Sequence, residues 1–145
     1  MSGKQSLNEL KSKKNDVVSS FNEIALNMVN HLGNEFADSI FGKNITMIRN
    51  FFKFKPNEII ILFLKNIYEK DDFRTQIKAG NDKFFMVQSY DDIQNKGYGS
   101  GIFEFKDIWT KMNNNTKLIV KESMSMLVDH CELYIELLCD INKAN

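Results

Sequence analysis

The sequence contains few of the residues from which most chemical sites are built. Among its 145 residues it has two histidines, two cysteines, one proline and one tryptophan. A structural or catalytic zinc site takes at least three protein ligands, most often histidine and cysteine. Because His31 and His130 are the only histidines in the sequence, a histidine-rich metal site is excluded. The sequence therefore predicts no bound metal and no cofactor.

The two cysteines, Cys131 and Cys139, are eight residues apart within one predicted helix. At the rise of an α-helix this spacing holds their Cα atoms about 12 Å apart, which is too far for a disulfide bond. No secretory signal is recognisable at the start of the sequence. We therefore expect reduced, buried thiols and a cytoplasmic protein.

Long apolar runs are also missing. The longest, IIILFL from Ile59 to Leu64, has six residues, whereas a membrane-spanning helix needs about 20. The acidic and basic side chains cancel, with 19 of each, so no overall field draws the protein to nucleic acid or to anionic lipid. These absences predict a soluble protein that makes no membrane contact, and any contact with nucleic acid must be local.

Three of the seven glycines stand together in the stretch NKGYGSGIFEFKD, from Asn95 to Asp107. Their G-x-G-x-G spacing differs from the G-x-G-x-x-G of dinucleotide-binding folds. A phosphate-binding P-loop would close on Gly-Lys-Ser/Thr, and the stretch has no such sequence. Residues 94–101 are therefore predicted to be a flexible loop between helices.

Both ends of the chain show the apolar spacing of long helices. From Ser6 to Leu32 apolar residues recur about every 3.5 positions, and Gly33 with Asn34 then provides a stop signal. From Lys117 to Ile141 the spacing is unbroken and places seven apolar residues on one side. This predicted interaction seam consists of Val120, Met124, Leu127, Cys131, Tyr134, Leu138 and Ile141.

Shorter helices are predicted between these two. One spans residues 35–52, and a core helix begins at Pro56, whose missing N–H is not needed in a first turn. Asp71–Asp72 and Asp82 are predicted to cap two further helices, the first of which ends at Gly80.

One more short helix is predicted over residues 103–112, ahead of the long terminal helix. The sequence thus indicates one all-α domain, residues 1–145, with five to seven helices and long first and last helices. Residues 1–5 are expected to be disordered.

One group of residues has the types needed for a metal-dependent nuclease. In that pattern an aspartate and a glutamate hold a divalent ion, and a lysine two residues after the glutamate activates water. Asp92, Glu104 and Lys106 have the residue types of this pattern. Apolar and polar residues alternate from Ile102 to Lys106, so Glu104 and Lys106 could lie on the same face of a strand. A Glu-x-Lys sequence is common in lysine-rich chains, however. We favour a surface pair at the start of a short helix and expect no enzyme.

Basic residues interleave with phenylalanines in the N-terminal third. Aromatic rings can stack on bases while lysine and arginine neutralise phosphates. The candidate nucleic-acid contacts are Lys11, Lys13, Lys14, Arg49, Lys53 and Lys55. The favoured alternative is a row of core-facing phenylalanines with a solvated opposite edge.

The order of elements after residue 56 resembles that of a group of viral proteins. The likeness is carried by FLKNIYEKDDFRTQIKAGNDKFF, from Phe63 to Phe85, and by FEFKDIWTKM, which begins at Phe103 and precedes the long terminal helix. Across roughly residues 56–138 the chain is similar to small Lys- and Asn-rich α-helical proteins of large nucleocytoplasmic DNA viruses. The resemblance implies a setting, the infected-cell cytoplasm or the virus particle. It implies no activity and no site residues.

Two apolar seams without a convincing catalytic group favour a non-enzymatic protein that works by contact. If the seam of the last helix packs against another chain, each Å² of apolar area buried contributes about 25 cal/mol. We expect a homodimer or higher oligomer, or a complex with another viral protein, as a virion or assembly component or an adaptor. The alternatives are a nucleic-acid-associated factor that uses the basic N-terminal third and a metal-dependent nuclease.

Overall fold

The computed structural model describes residues 6–88 and 103–144. In these two ranges the chain forms seven α-helices, one π-helical segment and one 3-10 turn, and it contains no strand. The predicted all-α domain with five to seven helices is confirmed. The predicted disordered segment 1–5 and the predicted flexible loop 94–101 lie outside the described residues.

The helices differ greatly in length, and the first and the last are the longest, with 29 and 31 residues. In chain order they are α1 (Leu7–Glu35), α2 (Ile40–Lys43), α3 (Ile45–Phe54), α4 (Glu58–Phe63), α5 (Asp71–Ala79), α6 (Asp82–Val87) and α7 (Asn114–Ala144). A π-helical segment, Leu64–Tyr68, continues α4, and a 3-10 turn, Trp109–Lys111, precedes α7. The predicted long terminal helices are therefore both present.

Helices α1 and α7 pack along each other in antiparallel directions. Ser20 of α1 contacts His130 of α7, and Glu35 at the end of α1 contacts Thr116 near the start of α7. Ser6 caps α1 by accepting a hydrogen bond from the backbone N–H of Glu9 at 3.1 Å. Each helix is more than 40 Å long at about 1.5 Å per residue, so this pair forms the long axis of the fold.

The boundary between α1 and the next helices differs from the prediction. Gly33 does not end α1, which continues to Glu35. Its missing Cβ instead lets the backbone approach Phe41, whose carbonyl oxygen would lie 3.2 Å from an added Cβ. The predicted helix 35–52 is wrong in its extent, since α2 and α3 are separate helices that meet at Asn44. Gly42 permits the turn before α2, because a Cβ there would overlap the backbone of Ala37.

The predicted aspartate caps of α5 and α6 are also wrong in detail. The residue at the N-cap position of α5 is Lys70, and Asp71 lies inside the first turn. A carboxylate there interacts favourably with the positive end of the helix dipole. At α6 the cap is Asn81, whose side chain accepts from the backbone N–H of Lys83 at 3.0 Å. Gly80 ends α5 as predicted, with φ 65° in the left-handed region that glycine tolerates.

Residues 103–112 do not form the predicted helix, and the reason lies in how their aromatic rings are buried. Phe103 packs edge-on against Phe63 at 5.0 Å between ring centroids. Trp109 stacks on Phe85 at 5.1 Å and is almost completely buried. An irregular segment that ends in a 3-10 turn brings these rings into the core from several directions, whereas a helix would present only one apolar side.

Candidate functional site

The predicted interaction seam is buried inside the chain. Six of its seven residues are buried, and Leu138 is partly buried against the same core. Helix α1 packs most extensively against α7, and α5 and the π-helical segment also contact it. The sequence thus located a packing surface, and the element that occupies it is α1 of the same molecule.

The two cysteines occupy opposite environments. Cys131 lies on the buried seam, and burial raises the pKa of its thiol from 9.0 to about 12. A thiol with so high a pKa stays protonated at neutral pH and is a poor nucleophile. Cys139 is exposed on the other side of α7. Both are free thiols, and the prediction that both are buried is correct for Cys131 and wrong for Cys139.

Sequence reasoning missed a serine and a histidine that the fold brings together. Ser20 Oγ and His130 Nε2 lie 2.9 Å apart, and His130 Nδ1 lies 2.8 Å from the carbonyl oxygen of Met126. Because a carbonyl only accepts, Nδ1 donates to Met126, and in the tautomer with its single proton on Nδ1 the Nε2 atom accepts from the Ser20 hydroxyl. The two residues are 110 positions apart in the sequence and belong to no recognisable motif, so no local sequence pattern predicts their contact.

In the described part of the chain, the backbone around Ser20 offers this serine and histidine pair no oxyanion donor. Nucleophilic catalysis also needs donors aimed at the oxyanion. Ser20 lies in the middle of α1, where backbone N–H groups are already bonded to carbonyl oxygens four residues earlier. The arrangement is that of a polar cross-link between α1 and α7, partly shielded from water.

A second polar cross-link joins one end of the same helix pair. The hydroxyl of Thr116 donates to the Glu35 carboxylate at 2.8 and 3.0 Å, and Thr116 is almost fully buried. His31 Nε2 lies 3.2 Å from the same carboxylate. Asn113 accepts from the backbone N–H of Thr116 at 2.8 Å and so caps α7. These contacts fix the register of α1 against α7.

The residues of the predicted nuclease pattern are not arranged on a strand. Glu104 and Lys106 lie in the irregular segment before Trp109, with 3.6 Å between the Glu104 carboxylate and the Lys106 ammonium group. The favoured interpretation of a surface pair opening a helix is wrong too, because the Glu104 side chain is only 13% exposed. Asp92 lies outside the described residues. Within the described ranges no three His, Cys, Asp or Glu side chains are grouped closely enough to hold a metal ion.

The six candidate nucleic-acid contacts fall into two separate groups. Asn22 of α1 donates to the carbonyl oxygen of Pro56 at 2.7 Å, which places the end of α3 beside the middle of α1. Lys13 precedes Asn22 by nine residues, or about 13 Å along the helix. Lys11, Lys13 and Lys14 therefore lie at least about 12 Å along α1 from the point where Pro56 contacts it. Arg49 is engaged through its Nε, which donates to Asn30 at 3.0 Å.

Helix α3 presents a surface that is both basic and apolar. Met47 and Phe54 are two turns apart on one side of it and are 43% and 69% exposed. The Lys53 ammonium group lies 5.5 Å from the centre of the Phe54 ring. Among the described residues no carboxylate comes within 4.0 Å of the ammonium groups of this surface. We define the basic face as the exposed residues Met47, Lys53 and Phe54 of α3 together with the exposed lysines that flank this helix in the sequence, Lys43 and Lys55.

Helix α7 presents a surface of the opposite charge on its outer side. Leu118, Met126 and Leu133 are exposed there by 52%, 42% and 45%. Five carboxylates accompany them, and only that of Asp129 has a cation within 4.0 Å in the described part of the chain, the Lys78 ammonium group at 2.8 Å. This surface, the acidic ridge, consists of Leu118, Glu122, Met126, Asp129, Glu132, Leu133, Glu136 and Asp140.

The described fold is an all-α domain in which shorter helices pack against two long antiparallel helices. No family model, curated protein or solved structure matches the chain. The described residues include no helix with the length and apolar character that a bilayer span requires. Functional inference therefore depends on the surfaces themselves.

Proposed function

We propose that the protein is non-enzymatic and works by contact, binding a protein partner through the acidic ridge. The observation that carries this proposal is the exposure of Leu118, Met126 and Leu133 on one side of the longest helix. Scattered single apolar residues are normal on a protein surface, whereas aligned ones rimmed by charge mark interaction sites. The two polar cross-links hold α7 rigid beneath this surface, which lowers the entropy cost of binding.

The unpaired carboxylates of the acidic ridge add specificity to its apolar residues. Glu122, Glu132 and Glu136 have no neighbouring cation within 4.0 Å in the described ranges, so a basic partner gains new ion pairs without breaking old ones. Such rim charges mainly speed association and select the partner, while the buried apolar contacts provide affinity. We therefore expect a partner surface that is apolar with basic flanks.

The resemblance of residues 56–138 to helical proteins of large DNA viruses supplies a setting for this activity. In that setting the protein is a virion component, an assembly factor or an adaptor, and it acts in the cytoplasm of the infected cell or in the particle. This location and role are part of the proposal.

Site-specific photo-crosslinking in the native source tests the proposal. A photoreactive residue at Leu133 is expected to crosslink to a defined protein, and the double substitution Met126→Glu with Glu132→Lys is expected to abolish that product. The matched control places the photoreactive residue at Val87, an exposed apolar position on α6. Equal crosslinking from both positions, or a product that survives the double substitution, contradicts the proposal.

A second candidate function, binding of single-stranded nucleic acid, is favoured by one observation on the basic face. The Phe54 ring is exposed and has a lysine beside it, as in surfaces that stack bases and neutralise phosphates. Fluorescence anisotropy with a labelled oligonucleotide tests it. This function predicts binding that weakens steeply with salt and is lost in Lys53→Glu, whereas binding unaffected by that substitution contradicts it.

A further inference from the structure

We propose that the partner of the acidic ridge is the basic face of a second copy of this chain. This inference rests on the proposed function and identifies the protein partner that the proposed function does not specify. Three features of the two surfaces support it: their apolar spacing, their charge and their positions on the fold.

The apolar residues of the two surfaces have the same spacing. Met47 and Phe54 on the basic face are seven residues apart, and so are Met126 and Leu133 on the acidic ridge. Seven residues are two helical turns, or about 10.5 Å along the axis, in both cases. When two helices lie side by side, each pair can therefore pack against the other over the same length.

The charges of the two surfaces are opposite and unpaired. The basic face has three lysines, Lys43, Lys53 and Lys55, and no acidic residue occurs between Ser39 and Asn57. The acidic ridge contains five carboxylates, of which four have no cation within 4.0 Å among the described residues. The chain as a whole is neutral, with 19 charges of each sign. Two copies can thus attract each other locally without an overall repulsion between them.

The positions of the two surfaces prevent them from meeting within one molecule. On α1, Ser20 faces α7 through His130, and Asn22 faces the end of α3 through Pro56. Asn22 is rotated by about 200° from Ser20 around the helix, and Asn30, which accepts from Arg49 of α3, by about 80°, so α3 and α7 contact different sides of α1. Because both surfaces are also exposed in the single molecule, the proposed contact forms between copies.

A contact between two different surfaces is heterologous. It lets copies add head to tail into a ring or an open chain, unless two copies exchange both contacts at once. Because the carboxylates and lysines are exposed, the association is expected to weaken as salt rises. This behaviour suits a component of a larger assembly.

Sedimentation velocity of two complementary variants tests the inference. One variant, Lys53→Glu with Lys55→Glu, loses the basic face, and the other, Glu132→Lys with Glu136→Lys, loses the acidic ridge. The wild-type protein is expected to self-associate at about 100 µM in low salt, and each variant alone is expected to be a monomer with at least about a tenfold loss of affinity. An equimolar mixture of the two is expected to associate again, because the acidic ridge of the first variant can meet the basic face of the second and the two charge-reversed surfaces are also complementary to each other.

Control and alternative outcomes keep the test decisive. Lys65→Glu with Lys83→Glu makes the same change in charge at exposed lysines that belong to neither surface and should associate like the wild type. Self-association of the basic-face variant alone overturns the inference, and so does a monomeric wild type or a mixture that stays monomeric. If the Leu133 crosslink to another protein is still found, the proposed function stands without self-recognition. If that crosslink is missing as well, both proposals fail.

Discussion

The hydroxyl of Ser20 is bonded to His130 Nε2 at 2.9 Å across the interface of the two longest helices. His130 is held in turn by the Met126 carbonyl oxygen at 2.8 Å. This contact lies between the buried seam of α7 and its exposed outer side. It therefore connects the stability of the helix pair to the rigidity of the surface that we propose for binding.

We predict that removing either partner of this cross-link destabilises the fold modestly. A partly buried hydrogen bond contributes about 1 kcal/mol, so Ser20→Ala and His130→Ala should each lower the free energy of unfolding by roughly that amount. Urea denaturation of both single variants and the double variant measures the effect. The double variant should lose less than the sum of the two, because the singles remove the same interaction. Strictly additive losses would show that no bond links the two side chains.

Two phenylalanines provide a matched test of which rings hold the core. Phe63 is fully buried between the rings of Phe21 and Phe103, whereas Phe54 is 69% exposed. Phe63→Ala is expected to cost about 3–5 kcal/mol of unfolding free energy, and Phe54→Ala less than about 0.5 kcal/mol. Thermal and urea denaturation check both values. Comparable losses from the two substitutions would contradict the described packing.

Gly42→Ala distinguishes tertiary packing from helix propensity. Propensity alone favours alanine over glycine inside a helix by about 1 kcal/mol. A Cβ at this position would overlap the backbone of Ala37, so we expect the substitution to destabilise the protein by about 1–3 kcal/mol instead. Urea denaturation gives the sign directly, and a stabilised variant would rule out the close turn between α1 and α2.

Alkaline pH is expected to destabilise the protein through Cys131. Burial raises the pKa of its thiol from 9.0 to about 12. Between these two values the unfolded chain has released the thiol proton and the folded chain has kept it, so stability falls as pH rises. Burial is also the main cause of the raised pKa values of Tyr68 and Tyr134, which act in the same direction at higher pH.

The contribution of this one thiol can be isolated by comparing variants. From pH 8 to pH 10 it should reduce the unfolding free energy by about 1 kcal/mol, and Cys131→Ala should remove that part of the pH dependence. Cys139→Ala is the control, because the Cys139 thiol is exposed. Urea denaturation across this pH range measures the slopes. A Cys131→Ala variant with the wild-type slope would show that the thiol ionises freely in the folded protein.

Periodicity in the sequence was sufficient to predict the fold class and the two long helices. The spacing from Val120 to Ile141 correctly indicated one continuous buried side of α7, because apolar spacing is a local property of the chain. The same spacing cannot reveal which surface covers that side. Here α1 covers it, since the antiparallel pairing of the chain's two ends is a long-range contact.

The errors in the prediction share a similar physical origin. The predicted helix over residues 103–112 failed because Phe103, Phe105 and Trp109 are drawn to separate parts of the core, so that tertiary burial overrides local helix preference. The contact of Ser20 with His130 joins residues that are distant in sequence and chemically unremarkable by themselves. The outer side of α7 bears carboxylates that can be read from the sequence, but its exposed leucines and methionine are evident only in the fold, where the buried side is known.

Methionine methyl NMR tests the central claim, contact through the acidic ridge, most directly. The protein has seven methionines, and Met126 lies on the acidic ridge, Met47 on the basic face and Met86 on another exposed surface. As protein concentration rises in low salt, the account predicts that the methyl resonances of Met126 and Met47 shift together, while those of Met86 and the buried Met124 stay in place. A Met126 resonance that remains fixed while the protein associates would contradict the account.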